Sequence, residues 1–179
     1  RHRKYDHSVK LLEPNLKNSA GGVRDLHSLV WIYRSASADH FTATPFHSNA
    51  SACIALFAQL EKEGIISSEE RMECEAAFSG LLRIRNELHY HSGSQQDILE
   101  FPKQQEIARA IGYKRATPVE SVEQCMREYY LHARTVYGLN KRLINHFRSN
   151  TSTSFWTISR EQAVDDHFAV RNGQLHRRS

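Results

Sequence analysis

The segment from residue 13 to residue 25 combines glycine with charged side chains in a pattern that could bind an anion. It reads E-P-N-L-K-N-S-A-G-G-V-R-D and runs directly into an apolar segment. Gly21 and Gly22 allow the backbone to turn tightly and to approach another group closely. The start of the following helix offers N–H groups and a partial positive charge, which together favour a phosphate. Lys17 and Arg24 would add two cations to such a site.

Asp25 falls in the first turn of the same helix, and it leaves a simpler alternative open. An acidic side chain at this position complements the helix dipole whether or not a ligand binds. A lone pair of glycines is weak evidence for a binding site. The anion-binding hypothesis therefore requires that the bend keep its main-chain donors available. A bend buried in the interior, with its amides already bonded, would contradict it.

A second polar cluster lies between residues 83 and 91, which read R-I-R-N-E-L-H-Y-H. Arg85 and His89 are four positions apart, so a helix would place them on the same face. Such a pair could hold a phosphate or a carboxylate. It could equally satisfy polar groups at the edge of a helical bundle, and both interpretations stand.

Composition is typical of a single globular domain without a membrane span. The chain has 179 residues, a formal charge of +4 and 40% apolar residues, and it has no run of about 18 apolar residues. Its three cysteines, at positions 53, 74 and 125, show no disulfide or zinc spacing. We therefore expect a cytoplasmic protein in a reducing compartment.

Apolar periodicity predicts helices that account for most of the chain. The predicted segments are 22–36, 52–63, 67–91, 105–111 and a helix of about 30 residues beginning near Pro118. A loop is predicted at 35–51, a short strand at 8–12 and a hairpin at 168–175. The fold class is therefore mainly all-α, an antiparallel helical bundle with a short N-terminal strand and a C-terminal β-hairpin.

Two of these helices show apolar stripes that predict their buried faces. In the 67–91 helix the stripe runs through Met72, Ala76, Leu81, Ile84 and Leu88. In the last helix it comprises Val119, Val122, Met126, Tyr129, Ala133, Val136, Leu143 and Phe147.

Several motifs, in this order along the chain, resemble a known family. They are E-P-N-L-K at 13–17, G-G-V-R-D-L at 21–26, R-I-R-N-E-L-H at 83–89, D-I-L-E-F at 97–101 and M-R-E-Y-Y at 126–130. Together they resemble the bacterial PII uridylyltransferase/uridylyl-removing enzymes, which are nucleotidyltransferases of the polymerase-beta type. The resemblance implies a tail of the nucleotidyltransferase core at 1–21, a helical bundle at 22–148 and a linker with a hairpin at 149–179.

The resemblance also implies a function for the intact protein. It would transfer UMP from UTP to a tyrosine of a PII-type signalling protein, with Mg²⁺ as cofactor. The cleft for nucleotide or acceptor would be lined by Lys17, Gly21, Gly22, Arg24 and Asp25, and supported by Arg85 and His89. UTP or another nucleotide and a PII-type protein are the expected partners, whereas a membrane and nucleic acid are not.

The chain lacks the sequence pairs that the catalytic steps of this family would need. No Asp-x-Asp pair occurs, although two carboxylates must hold the magnesium ions at a triphosphate. No histidine is followed by aspartate, which the uridylyl-removing half would use as a metal site. We therefore assign no catalytic or metal-binding residue, expect Mg²⁺ to be bound elsewhere in the intact enzyme, and expect this chain alone to be inactive.

Two other functions remain open at this stage. Arg85 followed by His91 fits the loose R-x4–6-H pattern of HEPN-type ribonucleases, which are small helical bundles that bind and cleave RNA. A purely structural, protein-docking bundle would bind neither nucleotide nor RNA.

Overall fold

Five α-helices make up most of the part of the chain that the structure describes. This computed structural model describes residues 9–36 and 48–151, together with short strands at 162–163, 168–171 and 174–177. The helices are α1 (Val23–Ala36), α2 (Asn49–Lys62), α3 (Ser68–Ser92), α4 (Phe101–Ala110) and α5 (Pro118–Thr151). The predicted, mainly all-α fold class is confirmed.

Local capping explains where the middle helices begin. The Ser67 side chain accepts a hydrogen bond from Glu70 N, and Ser67 N donates one to the Glu70 carboxylate, which is the predicted capping box of α3. Ser48 and Ser51 form an equivalent box, so α2 begins at Asn49, three residues before the predicted start. The remainder of the predicted 35–51 loop lies mostly outside the described residues. Helix α4 begins at Phe101, also earlier than predicted, with Pro102 in its first turn.

Helices α3 and α5 run antiparallel, as two contacts at matching positions show. Arg142 of α5 donates a hydrogen bond to Glu70 near the start of α3. Ten residues further along α3, Gly80 faces His132, which lies ten residues earlier on α5. A Cβ atom at Gly80 would lie 2.4 Å from His132 Nε2. A small residue at position 80 therefore makes room for the imidazole between the helices.

The buried face of α3 is displaced from the predicted stripe. Met72 is 63% exposed and Ala76 is also exposed, so these two predictions are wrong. The stripe instead begins at a cysteine, because a buried thiol packs as a small apolar group. The buried members are Cys74, Ala77, Phe78, Leu81, Ile84 and Leu88.

The same displacement occurs at the start of α5. Val119 is 66% exposed, contrary to the prediction, whereas Cys125 is buried. The predicted Val122 is not among the buried residues, but the core face then follows the predicted rhythm and adds two positions, Cys125 and Leu139. Its members up to residue 139 are Cys125, Met126, Tyr129, Ala133, Val136 and Leu139.

The segment before α1 pairs with the segment before α4 instead of forming a strand of its own. Residues 9–12 carry no strand, so the predicted 8–12 strand is wrong where the structure describes it. Extended pairing occurs a few residues later, as a single antiparallel bridge between Asn15 and Ile98. Leu16 N donates to Asp97 O at 2.7 Å, and Leu99 N donates to Pro14 O at 2.9 Å. These bonds attach the N-terminal segment to the bundle.

The chain forms two compact units, Arg1–Arg142 and Leu143–Ser179. The second unit contains strands β1 (Gln162–Ala163), β2 (Phe168–Arg171) and β3 (Gln174–Arg177). β2 pairs antiparallel with both neighbours, with Val170 opposite Leu175 of β3. These short strands occupy the stretch for which a hairpin is expected, and they leave the fold class mainly α. The three-part domain division at residues 21 and 148 stays a prediction.

No helix among the described residues has the length and apolar character needed to cross a bilayer.

The Gly21 position gives a direct stability prediction. Gly21 has φ +77°, and a Cβ atom there would lie 2.0 Å from the carbonyl oxygen of Ala133. Gly64 has a similar φ, +68°, but nothing lies within 4 Å of its Cβ position. Gly64→Ala should therefore cost about 1 kcal/mol of unfolding free energy for the left-handed backbone alone. Gly21→Ala should cost roughly 3 kcal/mol more, because it also forces α5 away.

Urea unfolding of the two alanine variants, followed by circular dichroism, would measure this difference. Equal losses in the two variants would contradict a steric role for the contact between Gly21 and Ala133.

Candidate functional site

The double-glycine bend is buried against other parts of the backbone. Gly21 and Gly22 are both buried. Gly21 lies against the Ala133 carbonyl of α5, and a Cβ atom at Gly22 would lie 2.7 Å from Lys17 O. Close approach of backbone to backbone, on two sides of the bend, therefore explains why both positions are glycine.

The main-chain donors of this bend already have partners within the protein. Gly21 N donates to the buried carboxylate of Asp25 at 2.8 Å, and each of the next four amides donates to a backbone carbonyl. These bonds are Gly22 N to Ser19 O, Val23 N to Leu16 O, Arg24 N to Lys17 O and Asp25 N to Gly22 O, at 2.9–3.1 Å. The hypothesis of bare main-chain donors aimed at an anion is therefore wrong.

Asp25 has a structural part in this arrangement. Its side chain is fully buried, and its carboxylate caps the bend through Gly21 N. Its backbone carbonyl accepts a hydrogen bond from Asn140 Nδ2 of α5 at 3.3 Å. Gly21, Gly22 and Asp25 thus fix the junction between α1 and α5. Any contact with a ligand must come from the side chains around the bend, and that binding role stays a prediction.

Three of the predicted site residues meet at one carboxylate, that of Asp97. Arg85 Nε lies 2.7 Å from Asp97 Oδ1, and His89 Nε2 lies 3.2 Å from the same oxygen. Lys17 Nζ lies 3.8 Å from Asp97 Oδ2. The shared face of Arg85 and His89 on α3 is confirmed by this common partner. We call Lys17, Arg85, His89 and Asp97 the basic cluster.

Asp97 is the residue that sequence reasoning missed as a member of the site. The D-I-L-E-F motif at 97–101 contained the signal, but periodicity offered no reason to place it beside Arg85. The bridge between Asn15 and Ile98 places Asp97 beside Arg85, because it brings residue 97 next to the segment before α1 and onto α3. The two motif segments, around residue 15 and around residue 97, are therefore one structural unit.

The surroundings of the basic cluster are positively charged. His27 of α1 is half-buried, and its pKa is lowered below 6.5, first by burial and then by the positive charges of Arg24, Arg85 and Lys17. The charges of these three cations therefore overlap in one region of the molecule. Asp97, which pairs with Arg85, is the carboxylate in that region. Arg24 is exposed to solvent. Such a surplus of positive charge suits an anionic group, such as a phosphate or a carboxylate.

The Arg and His of the ribonuclease pattern are not brought together. Arg85 pairs with Asp97, whereas His91 pairs with Glu87 at 3.1 Å. Positions six apart on a helix point about 120° away from each other. The geometry therefore gives no support to an RNA-cleaving pair formed by Arg85 and His91 within one chain.

The described residues do not fit a magnesium ion. Among them, no group of three or more His, Cys, Asp or Glu side chains could hold a metal. Both oxygens of Asp97 face cationic groups, which would repel a metal cation. The three cysteines are buried and unbridged, and burial raises the pKa of Cys53 and Cys125 to about 12. Their thiols are therefore protonated and poor metal ligands at neutral pH.

The fold and the site together define a helical module in which a basic cluster lies beside the glycine bend and on one face of α3. The family model described as GlnD PII-uridylyltransferase matches residues 1–144. The chain belongs to this family, which confirms the resemblance seen in its motifs.

Relatives with curated names agree with this family. The chain is 33% identical over 175 residues to a bifunctional uridylyltransferase/uridylyl-removing enzyme of Cupriavidus metallidurans. It is 31% identical to an enzyme of the same name from Burkholderia vietnamiensis and 32% identical to one from Hydrogenovibrio crunogenus. Each match covers 98% of this chain but only 18% of the relative. No solved structure matches the chain.

Removal of the Asp97 charge should destabilise the protein. Asp97→Asn would leave Arg85, His89 and Lys17 clustered without a carboxylate, at a site where the Asp97 side chain is only 15% exposed. We expect a loss of about 1.5–3 kcal/mol in the free energy of unfolding, the usual range for hydrogen bonds to charged groups. Chemical denaturation would measure it.

Glu106→Gln provides a matched control. It breaks an exposed pair with Lys103 on α4, at 2.9 Å, and should leave stability unchanged. An Asp97→Asn variant as stable as this control would contradict a structural role for the basic cluster.

His27 should make stability depend on pH below neutrality. Its pKa is lower in the folded chain than the ordinary 6.5, so between the two values the unfolded chain binds a proton that the folded chain does not. Stability is therefore highest above pH 6.5 and is lost as the pH falls through that value towards the folded pKa. His27→Gln should flatten this loss.

Urea midpoints measured from about pH 7.5 to about pH 5.5 would test the His27 prediction. The pKa of His132 is also lowered, by burial, so His132→Gln gives the comparison for a histidine outside the site. An unchanged slope in His27→Gln would show that His27 is not the group responsible.

Proposed function

We propose that this chain is a helical module of a uridylyltransferase-like protein and helps to bind the nucleotide or the protein acceptor during transfer of UMP from UTP. Membership of the family supports the reaction class. The relatives are named as uridylyltransferase/uridylyl-removing enzymes, and this chain spans about a fifth of their length. The activity therefore belongs to the intact protein.

The observation that carries this proposal is the surplus of positive charge at the basic cluster. Asp97 fixes Arg85 and His89 by close contacts, but its distance to Lys17 Nζ is 3.8 Å, too long for a hydrogen bond. The Lys17 ammonium can therefore donate to a ligand without breaking a hydrogen bond to Asp97. Arg24, exposed in the first turn of α1, adds a second cation for a phosphate.

The chemistry of these side chains suits binding of phosphate and not binding of Mg²⁺. Lys and Arg neutralise phosphate charge but cannot hold Mg²⁺, because they offer no acceptor. We place Mg²⁺ and the catalytic carboxylates in the parts of the protein outside this chain. A PII-type signalling protein as acceptor and a cytoplasmic location complete the proposal.

Titration with UTP tests the binding role. The Lys17→Ala/Arg24→Ala double variant should weaken UTP binding roughly tenfold or more, since charge-assisted hydrogen bonds to phosphate are lost. Arg127→Ala removes an exposed cation from α5 and serves as the control. Isothermal titration calorimetry at low and high salt would report both affinity and its ionic component.

Equal UTP affinity in the double variant and the control would contradict nucleotide binding at this cluster. Binding of the acceptor protein, lost in the double variant and kept in Arg127→Ala, would assign the cluster to the acceptor instead. If neither ligand bound, the chain would be a structural docking bundle.

A further inference from the structure

One face of α1 carries a row of cationic and aromatic side chains. Arg24, His27, Trp31 and Arg34 recur at spacings of three, four and three, which places them along one side of the helix. Trp31 is 66% exposed. A tryptophan so exposed is unusual, because its burial would contribute a large part of a core's stability. Its position therefore points to an interaction outside the described core.

A cavity of about 410 Å³ lies along this face, between α1 and the start of α2. Its lining includes His27, Trp31 and Arg34 from α1, and Asn49 from the first turn of α2. This volume falls in the range of small-molecule sites. Its described lining residues include no carboxylate, a feature that it shares with the cavity lined by Arg109, Lys114 and Arg115.

His27 links this cavity to the basic cluster. It lines the cavity, and the charges of Arg24, Arg85 and Lys17 reach its ring. Arg24 and Trp31 lie seven residues apart, which is about 10 Å along the helix axis. A ligand with a phosphate at Arg24 and an aromatic ring at Trp31 would therefore lie along the outer face of α1. A nucleotide has these two parts.

We propose that the cavity beside Trp31 is the base subsite of the nucleotide site, in which the nucleobase stacks on the indole while the phosphates contact Lys17 and Arg24. This inference rests on the proposed function and extends it from the phosphates to the base. Stacking on an aromatic ring accepts any base. His27 and Asn49, which line the same cavity, supply hydrogen-bonding groups that can contact the edge of the base.

Fluorescence of Trp31 provides a direct test. The chain has two tryptophans, Trp31 and Trp156, so Trp156→Phe leaves Trp31 as the only emitter. UTP should quench this emission in a saturable way. Inorganic tripolyphosphate, which has the charge but no base, should compete with UTP without comparable quenching. UTP that binds without any change in Trp31 emission would overturn the proposal.

Substitutions at Trp31 give a second, independent readout. Trp31→Leu should weaken UTP binding about 5- to 150-fold, as expected for loss of one stacked base, while leaving tripolyphosphate binding unchanged. Trp31→Phe should retain most of the UTP affinity, because phenylalanine still offers a ring. Tyr90→Leu removes an aromatic side chain that is 83% exposed at the end of α3 and should have no effect.

The outcomes separate this inference from the proposed function. If UTP and tripolyphosphate bind equally well and Trp31→Leu changes neither affinity, the base subsite is wrong while the phosphate site stands. If neither ligand binds the chain, the proposed nucleotide site fails and the base subsite fails with it.

Discussion

The organisation of the site depends on the backbone pairing between the segment before α1 and the segment before α4. Two hydrogen bonds, Leu16 N to Asp97 O at 2.7 Å and Leu99 N to Pro14 O at 2.9 Å, join two segments that are far apart in the chain. Because this pairing fixes residue 97, the Asp97 carboxylate lies between Lys17 and the polar face of α3. Without it, Arg85 and His89 would be unpaired cationic and polar groups at the edge of a bundle.

The glycine bend supports this arrangement from within the core. Gly21 allows the backbone to approach α5 more closely than any other residue would, and Asp25 satisfies the amide that this approach buries. A buried N–H without a partner would cost about 1–3 kcal/mol, so the carboxylate and the bend depend on each other. The main chain of the junction is therefore used for packing, and the proposed ligand contacts come from the side chains of Lys17 and Arg24.

Helix α1 connects the two halves of the proposed nucleotide site. Its inner face carries Leu26, Leu29, Val30 and Tyr33 into the core, while its outer face carries Arg24, His27 and Trp31. A rigid helix holds phosphate-binding and base-stacking groups at a fixed separation, which reduces the entropy lost when a ligand binds. This chain spans 18% of the length of its curated relatives, so the proposed site would be completed by other parts of the intact protein.

Local patterns in the sequence determined the helices, their caps, the family and the common face of Arg85 and His89, since each depends on residues a few positions apart. The partner of that face, Asp97, and the burial of the glycine amides were decided by tertiary structure. Both follow from long-range backbone contacts, Asn15 with Ile98 and Gly21 with Ala133, that leave no periodic signal. The same limit explains the displaced stripe of α3, because burial of Cys74 in place of Met72 depends on which neighbours surround the helix.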